Sequence, residues 1–240
     1  MSADEIIQRA ATRAQQTNTG ALPAFNYTKV TLTEELDGSG NIRERKEKVY
    51  DASFRDGASH LNLTEVNGHA PTADDRKKQR ENASMFQRLL GDSKKPGDNG
   101  SFLTPEIAAH FNYKLLGETN LNGRAAYRIS FAPKSPEPPA HDLVDRLLNR
   151  VSGTLWIDRE EFEIARADVS LESEVNVLGG FAGSLKKLAY TLVRTRIADG
   201  VWFNTLSSGV FEGRKLLDST CIKTKSEATN FRPAGEISKS

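Results

Sequence analysis

The sequence predicts a single α+β domain built on an antiparallel sheet, with its helices on one sheet face. The 240-residue chain is long enough for one large sheet and its core. Its helical patterns are grouped apart from runs of strands, as in α+β proteins. Helices inserted into a meander of strands have to pack on one sheet face, which predicts a curled sheet with helices at its mouth. Neither a fixed repeat nor a domain boundary is evident, so residues 1–240 are expected to form one unit.

The first element is a predicted helix from about residue 2 to residue 16. Ser2 and Glu5 have the spacing of a capping box, in which each side chain satisfies a free backbone amide at the helix start. One apolar stripe at helical spacing follows, made of Ile6, Ile7, Ala10, Ala11 and Ala14.

A predicted hairpin comes next, where the residue pattern changes from helical to extended. Phe25 to Leu36 and Ile42 to Phe54 are rich in Thr, Val, Tyr and Leu, and the Gly-containing segment 37–40 separates them. Asp56-Gly57 and Asn67-Gly68 mark two further turns. A meander of strands is therefore expected up to about Glu65.

The middle of the chain predicts two helices and then two strands. One helix begins at Pro71 and carries its apolar residues late, and a short helix starts at Thr104 with Pro105 in its first turn. The segment 91–100 between them has the composition of a flexible loop. Strands are expected over Phe111 to Leu116 and Ala125 to Ala132, joined through Asn122-Gly123.

The last third predicts a short helix followed by five strands. The Pro-rich segment 133–139 precedes a helix from His141 to Asn149. The residues after 231 are expected to form a flexible tail, 232–240. The predicted strands are Gly153–Asp158, Ile164–Glu174, Lys187–Ile197, Val201–Val210 and Leu216–Ala228.

The sequence contains no local catalytic or cofactor motif. The net charge of +1 does not favour a nucleic-acid partner, and no apolar run is long enough to cross a bilayer. The single cysteine, Cys221, has no activating neighbour in sequence, and the four histidines show no metal-ligand spacing. A nucleophile elbow, a Walker loop and GxGxxG are all missing. We therefore expect neither an enzyme nor a bound cofactor or metal.

Two segments leave alternatives open. The basic residues Arg76, Lys77, Lys78 and Arg80 form either a solvated helix face or a docking patch for an anionic headgroup or acidic partner. The one-sided helix 141–149 either plugs the core or acts as a lid over an apolar cavity.

Several short phrases carry a family resemblance. They are Phe25-Asn26-Tyr27-Thr28, the run 123–129 (GRAAYRI), the run 153–158 (GTLWID) followed by 164–167 (IARA), and the run 199–203 (DGVWF). Over roughly residues 3–231 the chain resembles the LolA/LolB-like group of periplasmic lipoprotein carriers, which includes outer-membrane lipoprotein-sorting proteins and the related domain of periplasmic sigma-factor regulators. The chain departs from the carriers proper by extra residues around 91–103 and 133–150.

The resemblance implies a fold, a location and a ligand class. The fold is a strongly curved antiparallel sheet, an unclosed half-barrel, with helices covering the concave face and acyl chains held between sheet and helices. The location is periplasmic, with a signal peptide already removed from this N-terminus. The apolar residues expected to line such a cavity are Val30, Leu32, Met85, Phe86, Leu89, Leu143, Val144, Leu147, Leu155, Ile157, Val169 and Leu171.

The leading hypothesis is an extracytoplasmic lipid- or lipoprotein-binding carrier, whose partner is lipid or an acylated lipoprotein. The alternative is a periplasmic sensor or protein-interaction module of the same fold, with an envelope protein as partner. An enzyme whose site is assembled from distant residues is the third class. Alternating apolar residues would appear equally in a filled core and in one with room for a ligand.

Overall fold

The protein is built on one antiparallel sheet of eleven strands. The structure is a computed structural model that describes residues 1–19, 23–55, 58–79, 103–177, 183–215 and 218–234. Along the sheet the strand order is β3-β2-β1-β11-β10-β9-β7-β6-β5-β4, and β8 pairs with β9 beside this path. Within the described residues β3 and β4 are the two ends and do not pair with each other, so the sheet is unclosed. The strands are β1 (Phe25–Leu36), β2 (Ile42–Arg55), β3 (Ala58–Val66), β4 (Phe111–Leu121), β5 (Arg124–Pro133), β6 (Val151–Asp158), β7 (Ile164–Leu171), β8 (Val175–Val177), β9 (Gly183–Ala198), β10 (Val201–Lys215) and β11 (Asp218–Pro233).

Four helical segments accompany the sheet within the described residues. They are α1 (Ala3–Thr19), α2 (73–79), α3 (Pro105–Ala108) and α4 (Leu143–Leu148). The predicted capping box of α1 is confirmed, because the Glu5 carboxylate accepts from the Ser2 amide at 2.7 Å and the Ser2 hydroxyl accepts from the Glu5 amide at 3.2 Å. These bonds lower the pKa of Glu5, the amide bond contributing most. The predicted cap of α3 is also confirmed, since the Thr104 hydroxyl accepts from the Ile107 amide at 3.3 Å.

Most predicted elements are present, and the differences lie at strand ends. The bounds of β1 agree residue for residue, and the turns at Asn122-Gly123 and Asp199-Gly200 join their strands as expected. Strands β4, β9, β10 and β11 run longer than predicted, and the short β8 was missed because three residues show no usable alternation. Pairing beside a neighbouring strand, not local propensity, extends such ends.

The predicted flexible tail is wrong at its first residues. Arg232 and Pro233 belong to β11, where Asn26 pairs with Arg232 and Phe25 with Pro233. The Ala234 amide donates to the Ala24 carbonyl at 2.8 Å. Residues 235–240 lie outside the described residues, as does the predicted loop 91–100.

The main core lies between α1 and one sheet face. The predicted apolar stripe of α1 is buried there, with Ile6 fully inaccessible to solvent. We call the sheet face that carries Ile129, Leu155, Ala167 and Leu192 the α1 face, because these side chains form one cluster with α1. The other side of the sheet is the opposite face.

A second, aromatic cluster packs where one end of β1, β2, β10 and β11 comes together. The Tyr27 ring lies 5.0 Å from the Phe203 ring and 5.4 Å from the Phe231 ring, measured between centroids. Phe54 meets Phe203 edge to face at 5.7 Å. The cluster ties β1, β2, β10 and β11 together, and Ala52 and Ala228 complete its buried part.

Candidate functional site

The α1 face changes character from strand to strand. Paired residues of an antiparallel sheet share a face, so the pairing defines rows across the strands. One row begins with apolar residues, continues with hydroxyls and a lysine, and reaches an apolar residue of β3; from β5 to β3 its members are Ile129, Leu155, Ala167, Leu192, Ser207, Ser226, Thr31, Lys48 and Val66. The Thr31 and Ser226 hydroxyls lie 2.9 Å apart and form a hydrogen bond with each other, so each has a partner within the protein.

The two adjacent rows add a partly exposed apolar surface beyond α1. One row contains Val169, Tyr190, Gly209, Thr224, Thr33 and Lys46, and the next contains Leu188, Phe211, Ile222, Glu35 and Glu44. Leu188, Tyr190 and Phe211 are half-buried, and Ile222 is 37% exposed. We call Leu188, Tyr190, Phe211 and Ile222 the central patch. It is apolar, it lies on strands β9 to β11, and it continues the floor that α1 covers.

Gly209 allows the two rings of the central patch to lie close to β10. A Cβ at this position would come within 2.6 Å of the Phe211 ring and 3.1 Å of the Tyr190 ring. Glycine in a strand often marks such a close approach. The sequence pattern therefore places a glycine where the aromatic floor needs backbone space.

Four of the predicted cavity residues lie together on the α1 face. Leu155 and Ile157 are buried in the main core, 2% and 0% exposed. Val169 and Leu171 are partly buried and pack against the same cluster. Because α1 already covers Leu155 and Ile157, the exposed apolar surface begins beyond them, towards the central patch.

Val30 and Leu32 lie on the opposite face, away from those four residues. Leu32 shares a row with Lys225, Ser208, Thr191 and Asp168. Alternation along β1 fixed which residues share a face but not which face meets α1, since both faces of β1 are half-buried. The structure thus corrects the expectation that one cavity is lined by both sets.

The opposite face carries polar contacts around β7. Arg166 and Asp168 form an ion pair at 2.9 Å, and the Thr191 hydroxyl donates to Asp168 at 2.8 Å. The Arg166 guanidinium also lies over the Trp156 ring, 4.9 Å from its centroid. These groups bond one another at a half-exposed surface, as expected for a solvated sheet face.

Helix α4 is held by buried polar groups at both ends. At its start the Asp142 carboxylate accepts from the Asp145 amide, and the buried Asp145 carboxylate accepts from the His141 amide, each at 2.9 Å. At its end the buried Asn149 side chain donates to the Pro138 carbonyl at 2.7 Å. These bonds favour the plug over the lid.

The apolar residues of α4 divide between core and surface. Leu148 packs against the main core, whereas the predicted cavity residues Leu143, Val144 and Leu147 are half-buried. The other predicted helical cavity residues, Met85, Phe86 and Leu89, lie outside the described residues, as does Arg80.

The basic helix α2 uses two of its cations within the protein. Lys78 pairs with Asp74 at 2.9 Å, and the Arg76 guanidinium donates to the Leu63 carbonyl at 3.5 Å. Asp75 binds Lys46 of the α1 face at 2.9 Å. The described part of α2 therefore meets the sheet at the lysines of the rows.

Sequence reasoning missed a buried ion pair beneath α1. The Arg194 and Glu163 side chains are 0% and 1% exposed, and the Arg194 guanidinium donates to Glu163 at 2.5 Å. From α1, Arg13 and Thr17 donate to the same carboxylate at 3.1 and 3.0 Å. Burial lowers the pKa of Arg194, and the Glu163 charge opposes that shift. Nothing local in the sequence indicates that an Arg on β9 is buried.

The phrases of the family resemblance meet in a second polar cluster. Arg124 forms two bonds with the buried Asp158, at 2.6 and 3.0 Å, and its guanidinium lies 5.6 Å from the Trp202 ring centroid. The Trp202 indole donates to Glu161 at 2.7 Å. The bond to Asp158 contributes most to raising the pKa of Arg124. All these groups are paired, so the cluster joins the β4–β5, β6–β7 and β9–β10 turns and serves structure.

The histidines and the cysteine lie apart from the central patch. His60 is exposed on β3, His110 faces Asn149, and Cys221 is a half-buried free thiol on the opposite face. Among the residues that the structure describes, no group of three or more His, Cys, Asp or Glu residues could hold a metal ion. No helix in the described part of the chain is long and apolar enough to span a bilayer.

Comparison with known proteins finds similarity to solved structures alone. No protein-family model and no curated protein matches the chain. A DUF1329 family protein from Desulfovibrio piger is 14% identical over 99% of this chain and 95% of its own, with a TM-score of 0.36. An outer membrane lipoprotein-sorting protein domain from Vibrio parahaemolyticus is 9% identical over 99% and 95%, with a TM-score of 0.37.

A third similar structure belongs to the LolA superfamily. This protein from Nitrosomonas europaea is 8% identical over 100% of this chain and 96% of its own, with a TM-score of 0.34. The LolA superfamily and the lipoprotein-sorting proteins are the group that the sequence resembles.

Proposed function

We propose that the protein binds lipid or acylated lipoprotein outside the cytoplasm and holds acyl chains on the α1 face. In this proposal the helices cover the concave side of a curved sheet, and the acyl chains lie between them and the sheet. The observation that carries the proposal is the central patch, a half-exposed apolar surface continuous with a buried apolar floor. The extracytoplasmic location is supported by the sequence resemblance.

The energetics of such binding are those of apolar burial. Each buried methylene contributes about 0.8 kcal/mol, so about ten methylenes contribute ~8 kcal/mol before ordering costs. Without those costs this would correspond to a dissociation constant near the micromolar range, and the ordering costs weaken the binding from there. The central patch suits this mode because its rings and branched side chains offer area without a hydrogen-bonding pattern that would select one headgroup.

The predicted cavity residues have different roles in this proposal. Val169 and Leu171 would form the border between the α1-covered floor and the ligand, and Leu155 and Ile157 would support that floor from beneath α1. Leu143, Val144 and Leu147 of α4 are half-buried and would contact ligand at its edge. Val30 and Leu32 are left out, because they lie on the opposite face.

A matched pair of variants tests the proposal. Phe211→Gln places an amide in the central patch, whereas Val210→Gln introduces the same residue one position away, on the opposite face. We expect Phe211→Gln to weaken displacement of an apolar dye by a fatty acid at least tenfold, since one buried aromatic side chain contributes about 1.5–3 kcal/mol. Val210→Gln should leave it within about twofold.

Lipid carried through purification gives the independent measurement. The protein is purified natively from cells, denatured, and its extract examined by mass spectrometry. We expect lipid in the wild-type extract and less of it in Phe211→Gln. An extract without lipid, together with no dye displacement, would contradict the proposal.

A second candidate function is a protein-interaction module, and the edge strand β4 favours it. Leu115 and Leu116 are 36% and 41% exposed on this strand, which pairs with β5 on one side. Exposed strand edges accept a strand from a partner. The register shift between Leu115 and Gly117 limits such addition to part of the edge. A partner protein that the wild type pulls down, that a variant altered on β4 does not, and that binds in the absence of lipid, would favour this function.

A further inference from the structure

On the α1 face, two lysines of β2 lie beside the hydroxyl part of the rows, and Val66 of β3 follows Lys48. Lys48 follows Thr31 in the first row, and Lys46 follows Thr33 in the second. Lys46 is bound by Asp75 at 2.9 Å. Lys48 is half-buried and forms no ion pair within the described part of the chain.

The surroundings of Lys48 favour an anion from outside the protein. Burial, and next the neighbouring Lys46 ammonium, lower the pKa of Lys48, and the Asp75 carboxylate offsets only part of this. Asp75 also accepts from the Thr72 amide and hydroxyl at 3.1 and 2.7 Å, so its carboxylate is already engaged. A partly desolvated ammonium without its own counter-ion gains from an anionic ligand.

The neighbouring carboxylates limit where an anionic group could sit. Glu35 and Glu44 share the row beyond Lys46, towards the β1–β2 turn. Glu47 and Glu65 alternate onto the opposite face. An anion is therefore favoured at Lys48, on the side where Thr31 and Ser226 stand, and disfavoured at the turn.

The distance from Lys48 to the near edge of the central patch is close to the length of one acyl chain. Ile222 lies two strand spacings across the sheet and four residues along the strands from Lys48, which is about 17 Å. An acyl chain spans half of a bilayer's roughly 30 Å hydrocarbon core, or about 15 Å. A chain whose head binds Lys48 would therefore run diagonally over the sheet and reach the central patch at Ile222.

We propose that the ligand is a lipid with an anionic phosphate headgroup, which Lys48 binds while the acyl chain extends to the central patch. This inference rests on the proposed function and adds the headgroup class to it. The hydroxyls of Thr31 and Ser226 lie between the two parts of the ligand. The basic residues of α2 are not needed for this contact.

The test compares two lipids that differ in headgroup charge. Phosphatidylglycerol and diacylglycerol with identical short acyl chains are titrated, below micelle-forming concentrations, into the full chain by calorimetry. We expect the anionic lipid to bind about tenfold more tightly, the factor that one charge-assisted hydrogen bond supplies. Lys48→Gln should remove this preference and leave diacylglycerol binding unchanged, and Lys48→Arg should keep it.

Two controls separate the possible failures. Lys223→Gln removes an exposed positive charge from the opposite face and should change neither affinity. Equal binding of both lipids, or equal weakening of both by Lys48→Gln, would overturn the headgroup assignment and leave the proposed function standing. Complete displacement of phosphatidylglycerol by equimolar inorganic phosphate would also overturn it. Binding of neither lipid would overturn both proposals.

Discussion

At the scale of single residues, the main buried polar cluster of the protein lies under α1. Glu163 receives bonds from Arg194, Arg13 and Thr17, three donors from two elements. A buried ion pair of this kind is weak evidence for net stability, because both charges lose their hydration. Breaking it from one side is costly, since the remaining charge stays buried.

The matched variants Glu163→Gln and Glu160→Gln test this difference. Glu163→Gln leaves the Arg194 charge buried without its counter-ion and should lower the free energy of unfolding by about 3–5 kcal/mol. Glu160 is 80% exposed and pairs with Arg124 at the surface, so Glu160→Gln should cost no more than about 1 kcal/mol. Denaturant unfolding measures both; equal effects would contradict a structural role for the buried pair.

At the scale of elements, glycine placement decides how closely side chains approach the strands. A Cβ at Gly153 in β6 would lie 1.9 Å from the Asp168 carbonyl oxygen and 2.9 Å from the Phe131 ring. Gly209 has the same relation to Phe211 on β10. These glycines lie within strands, where turn chemistry does not explain them.

The variant Gly153→Ala should therefore destabilise the sheet. The added methyl group has to displace backbone on β7 as well as the Phe131 ring, which should cost at least about 1–3 kcal/mol. Gly38→Ala is the control, because nothing lies within 4 Å of a Cβ there. Thermal unfolding compares the two. A Gly153→Ala protein as stable as Gly38→Ala would show that β6 and β7 are less closely packed than described.

Helix and strand positions were largely predictable from local sequence. The Ser2–Glu5 capping box, the Thr104 cap and the Asp199-Gly200 turn each have a local physical cause, and each is present. Strand ends were less predictable, since β10 continues to Lys215 only through pairing with its neighbours. The alternation of β1 did not reveal that Val30 and Leu32 face away from α1.

At the scale of the whole molecule, one sheet face combines a packed floor, a half-exposed apolar patch and two lysines. The patch was missed because Tyr190, Phe211 and Ile222 lie on strands separated in sequence and meet only through register. For the same reason, nothing local in the sequence distinguishes Lys48 from the other lysines. The alternation that predicted Leu155 and Ile157 as cavity residues is satisfied equally by a filled core.

The measurement that tests the central claim most directly is cross-linking with a photoactivatable fatty acid. The fatty acid carries a diazirine near its methyl end, and the labelled peptides are mapped by mass spectrometry. The account predicts labels on the α1 face of β9 to β11, at Leu188, Tyr190, Phe211 or Ile222, which excess unlabelled fatty acid suppresses. Labels confined to residues of the opposite face, such as Val210 and Lys223, would contradict it.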